Sequence, residues 1–313
     1  MEIKEITEEE YRELTGTKVP FFCRYEFLKL NEEKVEKIRY LLGYDRKKRL
    51  VWAVGEKEKR WMAPFSAPFS MIIELQKEIS VEYYWEFVKL ITEYAKNLHI
   101  QSINLFLPPD IYCYQQNARC LNAFLGNGYS LYYQDINYSL DLGKIDINEY
   151  ESLMHRNARK NLHIALKSNL ELIKCDSLEL KQEAYHVIRL NREGKGYPLR
   201  MSLNQVMDTI QIVEHEFFLV KKDGYFIAAA IIFHVTDEIV QVIYWGDIPE
   251  VGEYKPINFL SHELIKYYKN KEIKYVDIGP STEGGIPNFG LCNFKESIGC
   301  KLSSKYRIHM ILN

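Results

Sequence analysis

From Leu170 onward the apolar residues of the chain fall into short, clean periods. Leu170–Lys174 alternates as a strand does, and Leu180, Ala184, Val187 and Ile188 recur at helical spacing. That spacing predicts a helix over 178–192, ended by Gly194 and Gly196. Ser202-Leu-Asn-Gln205 is a capping-box pattern ahead of Val206, Ile210 and Val213, so a second helix starts there. Phe217–Lys221 and Tyr225–His234 flank Asp223-Gly224, a strong hairpin signal, and Glu238–Trp245 follows as a third strand. Pro256 suits the first turn of a helix whose apolar face is Ile257, Leu260, Leu264 and Tyr268. Tyr275–Ile278 then reads as a strand, Leu291–Ser297 as a short helix and Lys305–Leu312 as a closing strand.

The first half repeats this order. Ile38–Tyr44, Arg49–Val54 and Arg60–Ala63 read as three strands with polar turns. Tyr84, Phe87, Ile91, Tyr94 and Leu98 place a helix over 82–98. Ser102–Leu107 is a strand, Gln115–Leu125 a helix and Tyr129–Asp141 a closing strand. The ends echo locally: Phe124-Leu-Gly-Asn-Gly128 precedes the first closing strand, and Phe294-Lys-Glu-Ser-Ile-Gly299 the second. Two divergent copies of one α/β unit account for this economically. The polar stretch Gly143–Glu149 lacks core periodicity and marks the expected boundary, giving domains of 1–145 and 146–313.

Composition narrows the class. With 313 residues, 47% hydrophobic and 27% charged, the chain can bury two cores. A net charge of −2, from 41 basic and 43 acidic residues, argues against a dedicated nucleic-acid binder but permits a local basic patch. The acidic N-terminus shows no signal-peptide pattern, and the longest apolar run, Phe226–Phe233, is far too short to span a bilayer. The six cysteines are scattered, with no CxxC and no Cys/His cluster, so reduced thiols in a cytoplasmic protein and no metal are expected. Patterns for a nucleophilic serine elbow, a phosphate-binding P-loop or a zinc protease are absent.

The stretch Tyr275–Gly299 is the strongest candidate for a site. A loop leaving the C-terminal end of a strand is where open α/β folds hold ligands, and Gly279, Glu283, Gly284 and Asn288 are its candidate binding residues. Phe294 and Lys295 follow; a lysine among Leu291, Phe294 and Ile298 either snorkels to water or points into a cleft, where it can meet an oxyanion or a phosphate. Tyr244 ends the third strand. It is either an aromatic strand end or a phenol lining the opening where that strand parts from Tyr275–Ile278. Over 154–169, Arg156, Arg159, Lys160, His163 and Lys167 lie opposite an apolar face, as a solvated basic face or as phosphate contacts. Trp61–Ser70 is an aromatic, proline-rich loop that reads as a pocket wall or a packed loop.

The element order, with RNARKNLHIALKSNLEL (156–172), FFLVKKDGYFIAAAIIFH (217–234), VIYWGD (242–247), KPINFL (255–260) and YVDIGPSTEGG…GLCNFKESIGC (275–300), resembles the GNAT acyltransferase fold in its duplicated, FemAB-like form. The resemblance is good over about 150–313 and architectural over 1–149. It implies an α/β (α+β) protein of two tandem GNAT-like lobes, each a mixed sheet flanked by helices. It also implies a cytoplasmic enzyme that moves an acyl or aminoacyl group from acyl-CoA or aminoacyl-tRNA to an amine of a cell-envelope precursor or sugar. The other readings are an acetyl-CoA-dependent N-acetyltransferase of a small molecule and an inactive binding or scaffold protein. By the same resemblance Phe294 and Lys295 lie at the transfer site and Tyr244 lines its cleft. Proton removal falls to Tyr244, Asp277 or the substrate itself. Two departures stand out. Gly252-Glu-Tyr-Lys-Pro256 replaces the glycine-rich CoA loop, and no heptad segment marks a helical arm. Leu125 is expected where Lys295 stands in the second half, leaving the first lobe as a substrate-binding or structural copy.

Overall fold

The computed structural model describes residues 1–312. In chain order the elements begin with β1 (Glu2–Ile6), α1 (Glu8–Thr15), α2 (Tyr25–Leu30), β2 (Lys37–Tyr44), β3 (Lys48–Lys57), β4 (Arg60–Ala63) and β5 (Ile73–Glu74). Next come α3 (Val81–Asn97), β6 (Ser102–Phe106), α4 (Asp110–Gly126) and β7 (Ser130–Asp141). They continue with α5 (Tyr150–Leu153), α6 (Arg156–Leu166), β8 (Glu171–Lys174), α7 (Leu178–Lys195), α8 (Leu203–Thr209), β9 (His215–Lys222), β10 (Tyr225–His234) and β11 (Ile239–Asp247). The last are α9 (Pro256–Lys269), β12 (Tyr275–Pro280), β13 (Thr282–Glu283), β14 (Ile286–Pro287), α10 (Phe289–Ser297) and β15 (Lys301–Ile311). No helix among the described residues is long and apolar enough to cross a membrane.

The chain forms two compact units. One is built from Met1–Ile136, Gly284–Ile286 and the stretch from Ser303; the other from Asn137–Glu283 and Pro287–Leu302. The first unit arranges its strands β1-β2-β3-β4-β6-β15, antiparallel except for the parallel β4–β6 pair. Strand β3 feeds two cores because successive side chains point to opposite faces. Leu50, Trp52 and Val54 pack with Phe87, Ile91 and Phe124 of α3 and α4. Val51 and Ala53 pack with Tyr11 and Leu28 of α1 and α2. Strand β1 and helices α1 and α2 lie outside the repeat and are not among the elements that the hydrophobic periodicity predicts. Helix α1 is nonetheless written locally, since Thr7 and Glu10 close a capping box around its first turn. In the aromatic loop after β4, Phe69 is buried against Phe22 and Tyr112, so the loop is packed.

The second unit orders its strands β7-β12-β11-β10-β9-β8, with β7 entering through Asn137–Asp141. The hairpin between β9 and β10 turns at Asp223 (φ 49°) and Gly224 (φ 90°), both in the left-handed region that the Asp-Gly pair tolerates. Helix α8 carries the expected capping box of Ser202 and Gln205, and Pro256 stands in the first turn of α9. Strands β11 and β12 run parallel. Away from the site, the buried carboxylate of Glu216 accepts from His234 at 2.8 Å, Tyr268 at 2.8 Å and Lys271 at 2.7 Å. Burial alone would raise its pKa, but those bonds outweigh it and hold the carboxyl at about 2.

The repeat read from the sequence is present: three antiparallel strands, a helix, a parallel strand, a helix and a closing strand, twice. The closing strands are exchanged. Residues 137–141 of β7 pair with β12 of the second copy, while residues 307–311 of β15 pair with β6 of the first. Hydrophobic periodicity marks such residues as a strand but carries no information about which edge they join.

Candidate active site

The parallel pairing of β11 with β12 ends early. It runs from Ile239 opposite Tyr275 to Gln241 opposite Asp277 and goes no further, so Val242–Asp247 and Ile278–Pro280 are not paired with each other. At the last pair the Gln241 amide donates to Asp277 at 2.9 Å. Asp277 is fully buried and also accepts from Asn137 at 2.7 Å and from the backbone N–H of Gly279 at 2.9 Å. The last bond needs the left-handed backbone of Gly279 (φ 72°), which glycine adopts without strain. Around this end of the pairing, Gln241 Oε1, Asn137 Oδ1 and Ser281 Oγ are buried with no hydrogen-bond partner among the described residues. Such orphaned polar atoms are uncommon in folded proteins.

Lys295 closes the β12 side. Its side chain neither snorkels to water nor projects into open space: the residue is 4% exposed. Its ammonium donates to the carbonyl oxygens of Ile278, Gly279 and Pro280 at 3.0, 2.9 and 3.1 Å. Burial draws its pKa down to about 8, with the Asp277 charge acting in the opposite direction. The Tyr138 ring lies 5.3 Å from the ammonium.

On β11, neighbouring residues face opposite ways. Tyr244 lies 5.6 Å beneath the Arg192 guanidinium and accepts from the backbone N–H of Met201 at 3.1 Å. Burial raises the Tyr244 phenol above its ordinary value despite that hydrogen bond and the Arg192 charge, so it is neutral near pH 7. Trp245 turns the other way and meets Phe294 edge-on at 6.1 Å. Gly246 lets α7 approach, because a Cβ there would stand 2.4 Å from the Asn191 side chain. Arg192 is half-buried, and burial lowers its pKa.

Phe294 lines a cleft of about 450 Å³ together with Arg156, Asn157, Asn161, Asn258 and Asn293. Two helix N-termini open into it. Helix α6 starts after His155 without a side-chain cap, so its first-turn N–H groups face a site suited to an anion, whereas α9 brings Asn258 to the cleft but few free amides, since Pro256 has no N–H and the Asn258 N–H is bonded to Lys255 O. Asn258 is 6% exposed, lines this cleft and makes no side-chain hydrogen bond among the described residues.

The sequence candidates thus separate into groups. Lys295, Asp277 and Gly279 form one buried network. Phe294 and Arg156 share the cleft, while Arg159 and Lys160 border a shallower one of about 400 Å³ along α6 with His163 and Lys167. Tyr244 lies on the opposite face of β11. Exposed Glu283 pairs with Arg200 at 2.7 Å. Asn288 caps α10, accepting from Leu291 N–H at 3.1 Å and donating to the Tyr197 hydroxyl. Gly284 takes a left-handed turn (φ 61°) in the part of the loop that belongs to the first unit. Arg192, Gln241 and Asn258 escaped the sequence reading. Asn258 lies inside the quoted KPINFL segment, but Arg192 and Gln241 carry no local signal.

This fold is the duplicated GNAT fold in its FemAB-like form. It matches the crystal structure of FemX over 100% of this chain and 98% of that one, with a TM-score of 0.72 at 15% identity. L-PGS from Bacillus licheniformis matches over 97% of this chain and 92% of its own, with a TM-score of 0.60 at 12% identity. A tandem GNAT protein from the clavulanic acid biosynthesis pathway matches over 99% and 98%, with a TM-score of 0.52 at 9% identity. No protein-family model and no curated protein sequence matches the chain.

Proposed function

We propose that the protein is an N-acyltransferase that moves an acyl or aminoacyl group from acyl-CoA or aminoacyl-tRNA to an amine of a cell-envelope precursor or sugar. The observation that carries this reading is the early end of the β11–β12 pairing, with an anion-suited cleft on the Phe294 side and Tyr244 with Arg192 on the other. The donor's phosphate sits at the N-terminus of α6, held by Arg156 and the side-chain amide of Asn258 on α9. Its acyl carbonyl reaches the unpaired stretch between the strands, and the amine approaches from the Tyr244 face. The amine nitrogen forms the amide bond, the ester or thioester bond breaks, and the amine proton ends on the departing oxygen or sulfur. Tyr244, kept neutral, can relay that proton, giving its own to the departing atom and taking the amine proton in return. Lys295 acts through charge: its three protons are spent on carbonyls, yet the buried cation stabilises the developing oxyanion at short range. Asp277 positions Gly279 and Gln241. A cytoplasmic setting accords with both donors.

The reaction is tested by incubating the protein with charged tRNA or acyl-CoA and a pool of envelope-precursor amines, then reading the mass shift of the acceptor. Asn258→Ala is expected to weaken donor binding about tenfold, the magnitude of one hydrogen bond to a charged group. A binding constant unchanged by that substitution overturns the donor site. Donor identity follows from salt. Use of tRNA through Arg156, Arg159 and Lys160 predicts affinity that falls steeply between low and physiological salt, whereas a CoA thioester is far less sensitive. Product formed from neither donor leaves a binding protein as the reading.

A further inference from the structure

The first unit carries a second constellation that the transfer chemistry does not use. Along β15, Ser303, Lys305 and Arg307 share one face by strand alternation, opposite Ile308, which is buried in the core. The Arg307 guanidinium is walled by three rings: Phe106 at 4.7 Å, Tyr132 at 5.1 Å and Tyr133 at 5.3 Å. Its Nη1 donates to the Tyr133 hydroxyl at 3.1 Å. Its Nε, half of the other fork, is buried with no acceptor among the described residues, and the hydroxyl of Ser303 on the same face likewise has no partner among them. No carboxylate pairs with this guanidinium among the described residues. The Lys305 ammonium also lies against the Phe106 ring, at 5.9 Å. Tyr132, 56% exposed, presents a ring to solvent beside the guanidinium.

A guanidinium held flat by aromatic faces has lost little further freedom to lose, and its unused fork matches two oxygens of one anion. A donor buried without a partner is destabilising, and a ligand oxygen would relieve that cost. Rings on three sides favour a ligand whose charge is attached to a flat or apolar ring. We propose that Arg307, with Phe106, Tyr132 and Tyr133, forms a binding site in the first unit for the phosphate or carboxylate of a ring-bearing small molecule. The first copy of the repeat is then a ligand-binding module in its own right.

Calorimetric titration of the full chain with phenyl phosphate, benzoate and inorganic phosphate tests this without any acyl donor or turnover, so its outcome is separate from that of the transfer reaction. At least one ring-bearing probe is expected to bind, and which one does identifies the anion as phosphate ester or carboxylate. Arg307→Lys keeps the charge but removes the fork, and is expected to weaken binding by about tenfold or more. Tyr132→Ala, at an exposed position that the fold tolerates, is expected to weaken it several-fold and serves as the second variant should Arg307→Lys unfold on heating. No binding of either ring-bearing probe on the order of 10 mM, where the free energy is only a few kcal/mol, overturns the site. So does equal binding by wild type and both variants. Inorganic phosphate binding as tightly as phenyl phosphate overturns the role of the rings.

Discussion

The ends of the two repeats make the sharpest contrast in the molecule. Helix α4 finishes with Gly128 N–H bonded to Leu125 O and Tyr129 N–H bonded to Phe124 O, both at 3.1 Å. Helix α10 finishes with Gly299 N–H bonded to Glu296 O at 3.0 Å and Cys300 N–H bonded to Lys295 O at 3.1 Å. Both glycines are left-handed, at φ 89° and 87°. Matching these bonds makes Phe124, rather than Leu125, the counterpart of Lys295. Phe124 is 0% exposed, packed against Trp52 and Tyr129. One copy therefore fills this position with an aromatic ring and the other with a cation capped by carbonyls. A buried charge is expensive unless it is fully bonded, and replacing one by an apolar side chain is often neutral or stabilising. A lysine retained in such a place argues for use of its charge.

Exchanging the two residues tests this contrast. The largest effect is expected from Phe124→Lys, where no carbonyl cap waits for an ammonium. Loss of a core aromatic ring together with a buried charge should destabilise the protein by about 5 kcal/mol in urea unfolding, and a loss below about 1 kcal/mol would show that the two sites are interchangeable. Lys295→Met, the reverse exchange, is expected to lower turnover by about 10²–10³-fold with the melting temperature unchanged or raised. Full turnover in that variant would make Lys295 a structural cap only.

The smaller effect concerns pH. Because the folded-state pKa of Lys295 is about 8, below its ordinary value of 10.5, the folded state is penalised while the lysine is charged. The penalty is complete below about 8 and fades as pH rises toward 10.5, so stability gains up to about 1.4 kcal/mol per pH unit in that window. Lys295→Met should lack this gain. Turnover should move the other way, falling in the wild type as the charge is lost above pH 8. Unfolding free energies and turnover rates measured at pH 7.5 and 9.5 read both, and parallel pH slopes in wild type and variant would refute the assignment.

Much of the frame was legible from local patterns because the interactions that set it are local. Asp223-Gly224 dictates a hairpin through the backbone freedom of two residues, and Ser202 with Gln205 caps a helix within one turn. Tyr84, Phe87 and Ile91 mark the buried side of α3 by their spacing alone. The site was legible in part. The loop after Tyr275 and the pair Phe294-Lys295 announce themselves as glycine and charge among apolar neighbours. Arg192 and Gln241 do not, since each gains its place from a strand or helix distant in sequence.

By itself, then, the sequence determined the repeated order of strands and helices, their turns and caps, and a lysine anomalous for its surroundings. The tertiary structure decided that the closing strands exchange partners, that the Lys295 ammonium turns inward onto three carbonyls, and that Asn258 and Arg156 share one cleft. The physical reason is range. Periodicity and capping are energies between residues a few positions apart, whereas strand pairing, burial of a charge and the meeting of two helix ends depend on residues brought together only when the chain has folded.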